Sequence, residues 1–355
     1  MSSSAFPTFS AQTTAEEVAD TFRELIRGKN VLITGTSMNG IGYEAARVIA
    51  KYANLVIITG HNEERLKLSE AAIKSSFLRN TASGAQIRRL LLDLSSQDHV
   101  RAAAAEVLAY PEPLHALIHN AGAPISLTPT FIHAPGTTLD GVDVQWATNH
   151  FGPFLFTKLL LPKLYQAARE DADAGYVPRV VYISANGHQF GKGVDLEQFG
   201  QAYFDEKGSS GAMQTYWATK SANIMVAAEL ARRSKERVRA YSLHPGVVYT
   251  NIFERMKETN SFPAEIRGAV GGNGKGIVNG AGNPTSDIVS WKTIPQGAAT
   301  TVAAAFDPRL DGFSGAYLVD CCPATDQVAP HTADEDKAAR LWALTEEMIG
   351  ETLDF

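Results

Sequence analysis

Residues 29–51 read KNVLITGTSMNGIGYEAARVIAK, and this stretch decides the fold. Lys29–Thr34 centres on an unbroken Val-Leu-Ile run, the pattern of a strand buried on both faces. Ile41–Lys51 carries apolar residues at helical spacing. Between them lies Thr34-Gly35-Thr36-Ser37-Met38-Asn39-Gly40-Ile41-Gly42. Glycines let the backbone turn tightly and approach a pyrophosphate, while the helix start supplies free N–H groups and a positive dipole end. A Gly-rich turn alone says little. One that leaves a strand and opens a helix points to dinucleotide binding.

The same alternation continues outward. Strands are predicted at Asn54–Thr59, Gln86–Asp93, Leu114–Asn120, Arg179–Ser184, Val238–His244 and Tyr317–Asp320. Helices are predicted at Asn62–Phe77, Ser95–Ala109, Val142–Arg169 (with a kink at Pro162) and Gln214–Arg233. Continuous Val/Ile/Leu runs imply a parallel sheet covered on both sides, joined by right-handed crossovers. The expected fold is α/β, a single doubly wound Rossmann domain with strand order 3-2-1-4-5-6-7.

The core domain is expected over 28–330, after an N-terminal extension (1–27) and before a C-terminal helix (331–355) packed on it. Residues 1–12 read as disordered. Thr14-Ala15-Glu16-Glu17 resembles a capping box, and Val18, Phe22, Leu25 and Ile26 form the apolar stripe of a leading helix. Two segments, 186–211 and the Gly-rich 256–294, break the rhythm. Both follow carboxyl ends of strands, where ligands bind in open α/β sheets, so they read as substrate-binding insertions, with plain disorder the alternative for the Gly-rich one.

Composition narrows the function classes. The net charge of −6 argues against a nucleic-acid surface. The pairs Arg88-Arg89 and Arg232-Arg233 read as solvated ends of strands or helices. The two cysteines, Cys321 and Cys322, are adjacent, which disfavours a disulfide framework and suits a reducing compartment. No secretory signal or membrane-spanning run is visible, so a cytoplasmic location is expected. His119, His150, His188 and His244 lack metal-ligand spacing, so no metal is expected.

An acidic residue at the end of the second strand would bind the ribose hydroxyls of NAD. Here that place holds Gly60-His61-Asn62, and no carboxylate appears before Glu63. This favours NADP(H) over NAD(H), with His61, Asn62 and Arg65 as contacts for the 2′-phosphate.

The motifs together resemble the short-chain dehydrogenase/reductase family. The loop is similar to its TGxxxGxG fingerprint, with one extra residue between the first two glycines. Leu92-Asp93-Leu94, Asn120-Ala121-Gly122, Asn149-His150-Phe151-Gly152, Tyr216-Trp217-Ala218-Thr219-Lys220 and Pro245-Gly246-Val247-Val248-Tyr249-Thr250 follow in the family's order. Ala185–His188 and the helix after Tyr216 resemble the retinol-dehydrogenase-like and WW-domain-oxidoreductase-like branch.

The resemblance implies a cofactor site of Gly35, Thr36, Ser37, Asn39, Gly40, Ile41, Gly42, His61, Asn62, Asp93, Leu94, Asn120, Ala121, Gly122, Tyr216, Lys220, Pro245, Gly246, Val248 and Thr250. It implies a lipophilic alcohol, ketone or aldehyde as substrate. Phe190, Phe199, Tyr203, Phe204, Phe253 and Phe262 in the insertions are candidates to line its site, with packing the alternative for each. It also implies pairing into a homodimer or homotetramer through the helices around 143–170 and 214–235.

Hydride transfer to a carbonyl makes an alkoxide that must be protonated. The resemblance assigns Tyr216 as the acid/base, with Lys220 at i+4 on the same helix face lowering the phenol's ordinary pKa of ~10. Asn149 would order a relay water. The family ends its fifth strand with two small hydroxyl residues, whereas this chain has Ser184-Ala185. Successive strand side chains point to opposite faces, so Ser184 can take the catalytic place only through a backbone shift. Asn186, Thr215 or a water are the alternative donors. Loss of one such donor typically costs ~10²–10³ in kcat. The competing expectation is a nucleotide-binding sensor or scaffold.

Overall fold

The computed structural model describes residues 6–77, 85–123, 141–201, 209–259, 262, 266–267, 276–285, 288–353 and 355. The main sheet comprises β1 (Asn30–Ile33), β2 (Leu55–Gly60), β3 (Gln86–Leu91), β4 (Ala116–His119), β5 (Arg179–Ile183), β6 (Arg239–His244), β7 (Tyr317–Val319) and β8 (Cys322–Pro323). Its order is β8-β7-β6-β5-β4-β1-β2-β3. All pairs are parallel except β7 with β8. The expected order therefore holds, and β8 adds an antiparallel edge.

Each strand feeds two cores. Leu32 faces one with Leu117, Val180 and the helices α4 (Gln97–Leu108), α5 (Gly152–Glu170) and α6 (Ser209–Ser234). Its neighbours Val31 and Ile33 face the other, under α1 (Ala15–Thr21), α2 (Ile41–Ile49) and α3 (Glu63–Phe77). β3 differs, because it is an edge: Ile87 and Leu90 are buried while Gln86, Arg89 and Leu91 are exposed. Its arginines are paired, Arg88 with Glu112 and Arg89 with Glu70 at 3.0 Å. Arg232 and Arg233 both meet Glu229.

The N-terminal segment is more ordered than its Ser-rich composition suggests. Phe9 is buried, Phe6 and Phe9 both pack edge-on against Phe22, and Arg309 sits over all three rings. The Thr14–Glu17 capping box forms. Val18, Phe22 and Ile26 are buried, but Leu25 points outward. Arg47 and Lys51 bind Glu16, tying α1 to α2.

The stretch 142–169 is not one helix. A short turn at Val144–Trp146 passes into a π-helical turn at Ala147–Phe151 and then into α5, which runs unbroken through Pro162. The irregularity falls on the π turn, a feature that clusters at functional sites.

Two further helices, α7 (Asn251–Glu258) and α8 (Ile294–Phe306), were not expected. α8 is rich in small residues, and Gly297 to Phe306 are all buried, wedged between α1, α2 and the sheet. No polar face breaks its sequence, so it lacks the amphipathic signal. Cys321 is buried against Thr300 and Cys322 is exposed, and both thiols are free.

The C-terminal helix α9 (Glu335–Ile349) lies on α5 and α6. Trp342 packs edge-on against Phe154 at 4.6 Å, and Arg233 lies 5.0 Å from its ring centroid. Lys158 of α5 and Arg101 of α4 both bind Glu351. The chain's own terminus thus covers part of the helix surface expected to pair with a second copy. Trp342→Ala should destabilise the chain by about 3–5 kcal/mol, the usual cost of emptying a buried aromatic site. Urea unfolding measures this, and a loss under about 1 kcal/mol would mean α9 contributes little.

Candidate active site

The site is built at the carboxyl edge of the sheet, where β1 lies between β2 and β4. Gly35 has φ +72, and a Cβ on it would lie 2.7 Å from the Ala121 Cα. A Cβ on Gly42 would lie 2.2 Å from the Asn120 Nδ2. That nitrogen donates to the carbonyls of Thr34 (3.0 Å) and Gly35 (2.9 Å), and the Ala121 amide donates to Thr34 Oγ1 at 3.0 Å. The loops after β1 and β4 are thereby laced together. Thr36 Oγ1 donates to the Thr59 carbonyl at 3.1 Å.

Asn39, in the stretch that carries the extra residue, sits at φ +59. Asn tolerates this left-handed backbone better than most side chains. Gly40 caps α2, whose first residue is Ile41, with no side-chain bond, so the first amides of the helix stay open to an anion. A cradle that excludes Cβ atoms, closed by an uncapped helix start, fits a dinucleotide pyrophosphate.

Beside the loop, Ser37, Thr59, Gly60, His61, Asn62, Arg65 and Leu66 line a small depression. Asn62 also has a structural task, its Oδ1 accepting from the Arg65 amide at 2.9 Å. Asp93 is turned toward Ser95, accepting from its amide (2.9 Å) and hydroxyl (2.6 Å). Leu94 is buried against Gly152, where a Cβ would lie 2.3 Å from the Leu94 carbonyl oxygen.

At the other end, a Cβ on Gly122 would lie 3.4 Å from Asn149 Oδ1 and 3.6 Å from Lys220 Nζ. The β4 loop, the π turn and α6 therefore converge on one spot. Lys220 Nζ stands 5.5 Å from the Tyr216 ring centroid and donates to the Ile183 carbonyl at 2.9 Å. The Tyr216 hydroxyl has no hydrogen-bond partner among the described residues.

Burial pushes the Tyr216 phenol up to about 12 and the Lys220 amine down to about 8. The expected lowering of the phenol by the ammonium is thus absent from the polypeptide by itself. Desolvation governs both groups, and the amine is spent on a backbone carbonyl.

Two more of the expected catalytic residues are tied into the framework. Ser184 is buried, and its hydroxyl donates to the Lys220 carbonyl at 2.7 Å. The Asn149 carboxamide is also committed: its Oδ1 accepts from the Ala123 amide at 2.7 Å and its Nδ2 donates to Thr219 Oγ1 at 3.1 Å. Of the alternative donors, Thr215 is buried and already partnered, whereas Asn186 is exposed. The turn Asn186–Gln189 packs so closely on α6 that a Cβ on Gly187 would lie 2.8 Å from Trp217 Cδ1.

The histidines serve the framework. His119 is stacked on Tyr182 and bonded to Thr157, and His150 is bonded to Thr345. Burial pushes both down to about 3, so they stay neutral. His188 lies between the Ala185 and Gln327 carbonyls. Burial pushes His244 down to about 4, with Lys292 adding to the effect.

The segment after β6 turns at Pro245-Gly246, where Gly246 has φ +89 and a Cβ would lie 2.5 Å from Lys292 Cδ. Lys292 is ion-paired with Asp320. Val247–Val248 pairs with Trp291–Lys292 in a small parallel ladder, Val248 is buried, and Thr250 caps α7. Sequence reading missed Trp291, Lys292 and Asp320 here, since they lie more than forty residues downstream with no motif.

The candidate aromatics divide. Phe253 and Phe262 join Tyr249 and Trp291 in an apolar cluster beside this segment. Phe190 lies on Trp217. Phe199 instead belongs to the main core with Trp146, and Tyr203 and Phe204 lie outside the described residues.

Known proteins agree with this architecture. The family model for short chain dehydrogenase matches residues 29–189. The short-chain dehydrogenase TIC 32 B, chloroplastic, of Brassica napus is 30% identical over 96% of this chain and 94% of its own length. Retinol dehydrogenase 14 of Mus musculus is 30% identical over 92% and 87%. The WW domain-containing oxidoreductase of Homo sapiens is 29% identical over 92% and 69%. In fold, the chain is similar to the crystal structure of a putative uncharacterized protein from Mycobacterium Paratuberculosis, with TM-score 0.61, 24% identity and coverage of 93% and 96%. A Rossmann sheet in this strand order, with relatives similar along nearly the whole chain, establishes that the protein belongs to the short-chain dehydrogenase family of oxidoreductases.

Proposed function

We propose that the protein is an NADP(H)-dependent oxidoreductase that interconverts a lipophilic alcohol and the corresponding ketone or aldehyde. The observation that carries this reading is the convergence of Gly122, Asn149 and Lys220 beside an unpartnered Tyr216 hydroxyl, at the carboxyl edge of the sheet. Retinol dehydrogenases among the relatives support the substrate class, as does the apolar cluster of Tyr249, Phe253, Phe262 and Trp291. The NADP(H) preference rests on Gly60-His61-Asn62 and on Arg65, with no carboxylate lining the depression. Residues 28–330 form the catalytic unit in this reading, with 1–27 and 331–355 as accessory elements. Pairing through α5 and α6 would require α9 to share or vacate its surface.

The nicotinamide, when bound, supplies or accepts the hydride. The chain's own part is to hold and move a proton. In carbonyl reduction, Tyr216 gives its hydroxyl proton to the oxygen as the carbon receives hydride, and in alcohol oxidation it takes that proton back. Lys220 sets the local field and, through its bond to Ile183, fixes α6 against β5. Asn149 positions the β4 loop through Ala123.

Because burial holds the phenol near 12, it stays protonated through neutral pH. Reduction, which needs that proton, should vary little with phenol ionisation below about pH 10, while oxidation should rise with pH. Steady-state rates in both directions measure this. Tyr216→Phe should remove the turnover while NADPH binding persists. Full activity in that variant would dismiss the phenol's role.

Ala185 and the occupied Ser184 favour a second reading, a nucleotide-binding protein with little turnover. Ala185→Ser separates the two. A rise of about 10²–10³ in kcat would show that the oxyanion donor is missing in the natural chain. An unchanged rate with measurable turnover would show that another group supplies it.

A further inference from the structure

We propose that Arg255 of α7 acts with Arg65 of α3 as a two-armed clamp for the nucleotide's 2′-phosphate, tying the substrate-side helix to the adenosine end of the cofactor site. This rests on the NADP(H) reading above and goes beyond it. α7 is pinned to the phosphate loop. The Asn251 amide donates to the Asn39 carbonyl at 3.3 Å, and its side chain donates to the Met38 carbonyl at 3.1 Å. Arg255 stands four residues after Asn251 and so shares its helix face. Arg65 lines the depression beside the same loop, with Ser37, His61 and Asn62.

Both arginines are exposed, and neither has an ion-pair partner among the described residues. The nearest acids of α3 are already used, Glu63 and Glu64 both binding Lys67, at 3.3 and 2.8 Å. Loss of solvent lowers the Arg255 pKa, and the like charge of Arg65 lowers it further against the opposing pull of Glu258. Two like charges brought to the same loop, one by α3 and one by α7, repel when alone and are both satisfied by a dianion between them. Arginine's planar fork suits a phosphate.

The clamp predicts a discrimination that starts on the substrate side. α7 carries Met256 and Phe253 into the apolar cluster with Phe262 and Trp291. Capture of the 2′-phosphate by Arg255 therefore fixes the helix on which that cluster is built.

The test is binding to the full chain of NADPH, NADH, 2′,5′-ADP and 5′-ADP, by calorimetry or fluorescence, in the natural protein and in Arg65→Ala, Arg255→Ala and Arg255→Lys. Arg255→Ala should weaken NADPH and 2′,5′-ADP about 10- to 100-fold and leave NADH and 5′-ADP unchanged. Arg255→Lys should recover part of the loss. Hydrogen exchange across Asn251–Glu258 should slow with 2′,5′-ADP, and Arg255→Ala should abolish the effect. An unchanged melting temperature shows that the variants are folded. If Arg65→Ala loses the preference for NADPH while Arg255→Ala keeps it, the clamp is overturned and the NADP(H) reading stands. If the natural protein holds NADH as tightly as NADPH, both are overturned.

Discussion

The whole site depends on one close approach, that of the glycine turn after β1 to the loop after β4. At Gly42 and Gly35 no side chain can enter without meeting Asn120 or Ala121, because the built Cβ positions fall 2.2 and 2.7 Å from their atoms. The contact places backbone amides and an uncapped helix start at the point where the strand order reverses, β1 being flanked by β2 on one side and β4 on the other. Such switch points are where open α/β sheets bind ligands. Asn149 and Lys220 reach the same edge because β4 continues into Asn120-Ala121-Gly122, whose last residue adjoins both.

Burial shapes the chemistry at that edge. Desolvation disfavours the charged form of each group, so the phenol rises and the amine falls. A simple picture of an ammonium acidifying a neighbouring phenol leaves out this larger effect. The same economy of polar groups explains Ser184. A buried hydroxyl needs a partner, and the Lys220 carbonyl supplies one at 2.7 Å, bracing the helix that carries Tyr216 and Lys220. Ser184 and Lys220 thus lock strand to helix from both directions, since Lys220 in turn donates to Ile183.

A second, smaller apolar assembly lies beside the first. Met256, Phe262, Ile277 and Val278 are buried together, apart from the two main cores. A short parallel ladder between Val247–Val248 and Trp291–Lys292 holds it to the segment after β6. α7 joins this cluster to the phosphate loop, the Asn251 side chain donating to the Met38 carbonyl.

Much of this was legible from residue order alone. Unbroken Val-Leu-Ile runs between helical patterns specify a parallel sheet, because strands buried on both faces cannot alternate. The glycine turn, Asn120-Ala121-Gly122 and the Tyr216–Lys220 spacing are local signals, so their places could be read directly. Other features had no local sign. α8 is buried all round, which removes the polar face that marks a helix. Phe6 and Phe9 gain order only from Phe22 and Arg309, contacts between distant residues. Whether Phe199 met solvent, substrate or core was decided by Trp146 and Phe151 packing on it. Sequence by itself determined the topology and the motif positions, since those follow from periodicity and backbone geometry. Tertiary structure decided the burial, the hydrogen-bond partners and therefore the charge states, because each depends on which distant atoms displace water from a given group.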